Sequence, residues 1–77
     1  MPALVGVYRG RIMSSSDPLA SGRVQVTIPA VSGSNSVWAP VCSPFGVAMS
    51  VPRIGATAWV AFENGDSSYP VVLGTSP

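Results

Sequence analysis

Apolar and polar residues alternate along this chain in short runs, and glycine and proline keep interrupting them. The clearest run is Gly22 to Pro29, where Val24, Val26 and Ile28 fall on one side and Arg23, Gln25 and Thr27 on the other. A period of two marks a strand with one buried and one wetter face. Ala56 to Glu63 repeats the pattern, with Ala58, Val60 and Phe62 on one face and Thr57, Trp59 and Ala61 on the other. Three further runs are rich in residues that favour strands. These are Leu4 to about Met13, Val37 to Ser43, and Tyr69 to Leu73. The chain is therefore expected to be all-β, with five strands.

The punctuation between the runs sets the order. Ser14, Ser15, Ser16, Asp17 and Pro18 form a turn cluster that Gly22 closes, so the first two strands make a long hairpin. Ser32 to Ser36 is the next loop. Pro40 lies inside the third strand and cannot donate to a ladder, which predicts an edge or a bulge there. Residues 44–55 read as an irregular crossover. Asn64-Gly65-Asp66 is a tight-turn signal, because Asn and Gly accept the positive φ that hairpin turns require. Eight glycines and eight prolines spread over 77 residues leave no room for a helix of normal length. A sandwich of the immunoglobulin type needs about seven strands and roughly a hundred residues. Five strands suit a single OB-type antiparallel barrel, one domain over residues 1–77.

Composition adds a reason to expect partners. A domain of this size buries only roughly 60% of the surface its unfolded chain exposes. Cys42 is the single cysteine and there is no histidine, so neither an internal disulfide nor a metal site is expected. Charged residues make up 9% of the chain, where a soluble domain carries about 25%. Hydrophobic residues make up 47%. Much of the surface is expected to be covered by other chains in the working state. The net charge of +1 argues against an electrostatic grip on nucleic acid or an anionic membrane. No apolar run approaches the ~20 residues that span a bilayer, and residues 1–10 lack the features of a signal peptide. Assembly in a cytoplasm, where a lone thiol stays reduced, is the expectation.

The same inventory excludes most enzymatic chemistry. With neither histidine nor lysine, the usual general bases and amine nucleophiles are missing. Glu63 and Asp66 flank a turn and Asp17 starts one, roles that need no catalysis. Cys42 has no basic neighbour in sequence and is expected to be a buried structural residue. No catalytic residue, cofactor-binding residue or metal ligand is assigned. Trp38 is expected in the core. Trp59 falls on the face opposite Ala58, Val60 and Phe62 and is the first candidate for a protein interface, with Phe45 and Tyr69 as weaker ones.

Four segments, in order, resemble one family. Gly22-Arg23-Val24-Gln25-Val26-Thr27-Ile28-Pro29 is similar to the second strand of the OB domain in phage baseplate assembly protein V, in tail-spike proteins and in the VgrG spikes of type VI secretion. Residues Val37 to Gly46 resemble its tryptophan-containing third strand and Ser-Pro-Phe corner. Pro52-Arg53-Ile54-Gly55 with Trp59-Val60-Ala61-Phe62 resembles the fourth strand and its entry. Glu63-Asn64-Gly65-Asp66 with Tyr69-Pro70-Val71-Val72-Leu73-Gly74 resembles the closing hairpin. Two departures stand out. Ala56 and Thr57 replace the acidic residues that usually follow the glycine, and Pro40 stands where a charged residue is usual. The histidines of some needle tips are absent as well.

The resemblance implies a structural component of a tail baseplate, in a phage or a phage-like (contractile) injection device. It implies a ring of OB domains, a homotrimer, joining the central hub to a spike or other distal tail component in the virion. The sequence ends at Pro77 without a β-helical needle, so a stand-alone ring is the expected form. The rival readings are a single-stranded nucleic-acid binder, through Tyr8, Trp38, Trp59 and Tyr69 with the arginines, a shell or assembly subunit of another machine, and a carbohydrate-binding module using Trp59 and Tyr69.

Overall fold

A computed structural model describes residues 3–16, 22–43 and 52–76. It contains five strands: β1 (Tyr8–Ser14), β2 (Val24–Thr27), β3 (Ser36–Ala39), β4 (Thr57–Phe62) and β5 (Pro70–Thr75). They form one sheet in the order β3-β2-β1-β4-β5, and every neighbouring pair runs antiparallel. The all-β, five-stranded expectation is met.

The two strands with the clearest alternation place their side chains as expected. Val24, Val26 and Ile28 are buried, as are Ala58, Val60 and Phe62, while Arg23, Gln25, Thr27, Thr57, Trp59 and Ala61 are only half-buried. Ile12 from β1, Ala39 from β3 and Val72 from β5 complete the core. Tyr8 meets Phe62 edge to face at its margin, with ring centroids 5.5 Å apart. Fully burying a Val or Ile side chain contributes about 1.5–3 kcal/mol, and this small apolar set is the main internal source of stability.

Boundaries differ from the sequence reading for local reasons. β1 starts at Tyr8 rather than Leu4, because Gly6 has φ +79° and breaks the extended line. The preceding segment docks elsewhere: the Leu4 N–H donates to the Gly65 carbonyl at 3.0 Å. β3 stops at Ala39, one residue before Pro40, so the proline ends the ladder instead of lying within it. A short helical turn, α1 (Pro29–Ser32), follows β2 and was not foreseen. Proline supplies its first position, where a missing N–H costs nothing.

The two outer strands of the sheet approach each other just beyond β3. Val41 forms a single parallel bridge with Val72, carried by Cys42 N–H to Val72 O and Val72 N–H to Pro40 O, both 2.9 Å. The sheet therefore curls until its edges touch. Among the described residues no continuous ladder joins β3 to β5, and the one bridge at Val41 is their contact, in keeping with the partly open OB-type barrel expected.

The closing turn behaves as Asn-Gly predicts. Asn64 and Gly65 have φ +52° and +71° in a 3-10 turn over Glu63–Gly65. The Asp66 carboxylate accepts from the Ser68 N–H at 2.9 Å and fixes the return into β5.

Candidate interaction surface

The outward face of β1, β4 and β5 is built by cross-strand register. Arg9 lies opposite Trp59, and Trp59 opposite Gly74. The Arg9 guanidinium sits 5.0 Å from the centre of the Trp59 ring, a cation–π contact. On its other side the indole N–H donates to the Ser76 hydroxyl at 2.7 Å. Trp59 is thus outside the core, as its alternation required, but it is also tied into its own chain. Its polar end is satisfied and one ring face is shared with an arginine.

One register step further, Ala61 pairs with Val71, and Val7 continues the outward side of β1. Val7, Ala61 and Val71 make an apolar row beside Trp59. Leu73 adds to it from a bulge: Trp59 pairs with Gly74 and Val60 with Val72, so Leu73 is left over and is 47% exposed. Tyr69 stands at the end of β5, 59% exposed, where its carbonyl accepts from the Glu63 N–H. Trp59 and Tyr69 therefore belong to one outward surface, about 13 Å apart along the strands at 3.3 Å per residue. Phe45, the third interface candidate, lies outside the described residues, as does Asp17.

Two other expectations need correction. Trp38 is not in the core. Val37 and Ala39 take the inward positions of β3, which leaves Trp38 half-buried on the outer face, with the Arg23 guanidinium 5.4 Å from its ring centre. Cys42 is exposed instead of buried, because the chain leaves the sheet after the single bridge at Val41.

Among the described residues no group of three or more Cys, Asp or Glu could hold a metal ion, and no buried side-chain polar atom lacks a hydrogen-bond partner. The two arginine–tryptophan pairs do not form a continuous track. Trp38 is paired through Gln25 to Ser14, five residues along β1 from Arg9. What the sequence reading missed is the Arg9–Trp59 pair and the Val7–Ala61–Val71 row. Both depend on β1 meeting β4 across most of the chain, and nothing local in either strand announces that pairing.

Residues 8–76 match the family model of the type VI secretion system/phage-baseplate injector OB domain. No curated protein matches the chain.

Proposed function

The chain belongs to the type VI secretion system/phage-baseplate injector OB-domain family, a structural and non-enzymatic one, and on that premise we propose that it forms a trimeric ring on the axis of an injection device. In this reading the ring joins the central hub to a spike or other distal component, within the tail baseplate. The family match over nearly the whole chain is the observation that carries it. A role as a structural tail component, with tail proteins as partners, follows from the family itself. The finer reading, three copies between hub and spike, draws support from the surface.

That surface suits burial against other chains. With 9% charged residues the molecule has little to keep it apart from its neighbours. Val5 is 81% exposed and Ile54 63%, and both sit near ends of the sheet. Ile54 is placed there by Gly55, whose N–H donates to the Ile12 carbonyl at 2.8 Å. Apolar groups at both ends of the strands, besides the outward row, are what a domain stacked between partners above and below would need.

The experiment is the mass of the purified protein, by light scattering on a sizing column and by native mass spectrometry. A trimer is expected. A pentamer would move the reading to a shell-like assembly. A nucleic-acid binder would instead show salt-sensitive affinity for single-stranded oligonucleotides, and a null titration at low salt removes that rival.

A further inference from the structure

Four of the six charged side chains of the described residues stand in two places on one sheet, while Arg23 lies at the entry to β2 and Arg53 in the segment before β4. Arg9 and Arg11 stand exposed on the outward face of β1, with Arg11 level with Thr27 on one side and Thr57 on the other. Glu63 and Asp66 stand exposed at the tip of the β4–β5 hairpin. From Thr57 to Glu63 the chain advances six residues, about 20 Å at 3.3 Å per residue. That exceeds the Debye length of about 8 Å at physiological ionic strength, so the two groups do not neutralise each other within one molecule. Among the described residues, no ion pair engages Arg9, Arg11, Glu63 or Asp66.

The tip is also held in place. Leu4 N–H donates to Gly65 O, Asp66 N–H to Glu63 O, and Tyr69 N–H to Asp66 O, at 2.9–3.0 Å. Gly65 packs so closely under the N-terminal segment that a Cβ there would lie 2.6 Å from the Ala3 Cβ. The two carboxylates are therefore presented from an ordered projection, with Tyr69 exposed beside them and Val5 one residue beyond the Leu4 anchor.

We propose that the acidic hairpin tip of one copy docks on the Arg9–Arg11 face of the next copy, and that this contact closes the ring. It rests on the ring reading given above. The occupant is a second copy because the chain carries both halves of the match, two carboxylates for two guanidiniums. Arginine suits the contact, since its planar fork can meet a carboxylate with two parallel hydrogen bonds. The tip projects along the strands, whereas the arginines stand out from the sheet face. A tip meeting a face joins two different patches, and such heterologous contacts close into rings when the rotation permits. Two faces stacked on each other would be isologous and would give a dimer.

The test compares the full chain with Arg11→Glu, Glu63→Arg and the two together. Each is checked for fold by circular dichroism and weighed by native mass spectrometry at one concentration and at low and high salt. The wild type is expected to be a trimer that weakens as salt rises. Either reversal should loosen it by about tenfold or more, and the combined variant should recover most of the loss. If Glu63→Arg does not fold, Glu63→Gln with Asp66→Asn removes both charges, keeps an acceptor for Ser68, and should loosen the trimer similarly. A trimer indifferent to these changes overturns the tip-to-face contact and leaves the ring standing. A wild type that forms no trimer overturns the ring, and the contact with it.

Discussion

Gly10 sits in the middle of β1, buried, where β2 crosses closest. A Cβ built on it would lie 2.6 Å from the Thr27 carbonyl oxygen and 3.0 Å from Val26 Cγ2. The first is a backbone atom held by the β1–β2 ladder, so it cannot swing away as a side-chain end would. Gly10→Ala must part the two strands by about half an ångström, in a ladder whose bonds tolerate only about 2.7–3.2 Å. Forcing extra volume into a packed site costs about 1–3 kcal/mol. Against this, alanine gains about 0.5–1 kcal/mol over glycine inside a strand. The net is a loss of up to about 2.5 kcal/mol, with a mid-range value of about 1.3 kcal/mol. For a domain this small, each kcal/mol moves Tm by about 4–8 °C, so a drop of about 5–10 °C is expected at the mid-range value. Gly74 provides the control. It also lies within a strand, opposite Trp59, but a Cβ there meets nothing within 4 Å. Gly74→Ala should leave Tm unchanged or raise it by a few degrees. Thermal melts at one protein concentration measure both, since any self-association makes Tm concentration-dependent. A Gly10→Ala protein as stable as Gly74→Ala would refute the close approach of β1 to β2.

Other sites give independent checks. Ile12 is fully buried, and Ile12→Ala should cost about 2–5 kcal/mol in urea unfolding; a loss under about 1 kcal/mol would contradict its place in the core. The Trp59–Ser76 hydrogen bond should appear as a coupling of about 0.5–1.5 kcal/mol in a double-mutant cycle of Trp59→Phe and Ser76→Ala, and additive effects would argue that it is not formed. Asn64→Val forces a β-branched residue to φ +52° and should destabilise by about 1–3 kcal/mol, whereas Asn64→Gly should be nearly neutral. Cys42 is exposed, so a thiol reagent should label the native protein without denaturant; labelling only on unfolding would restore the buried reading.

How far the sequence could be read depended on how local each signal was. β2 and β4 announce themselves through strict alternation, and the structure buries the expected half of each. The Asn64-Gly65 turn was equally legible, because only a few residue types tolerate positive φ. The start of β1 was not, since Val5 and Val7 look like strand residues until Gly6 turns the chain and Leu4 docks beneath the closing turn. Trp38 and Cys42 were misplaced for a related reason. Bulk and apolar character suggested burial, but β3 is a short edge strand that turns only Val37 and Ala39 inward. Of the interface candidates, Trp59 and Tyr69 share an outward surface that alternation could foresee. Its continuation through Val7 and Val71 depends on pairing between distant strands, and the Arg9 contact depends on the same pairing.

The central claim is that this OB domain forms a three-fold ring between hub and spike. The most direct test is cryo-electron microscopy of the injection particles that carry it, reconstructed without imposed symmetry at the baseplate. The account predicts three copies of the five-stranded sheet around the tail axis, with hub density on one side and a distal component on the other. Density for this domain away from the axis, or in a number other than three, would contradict it.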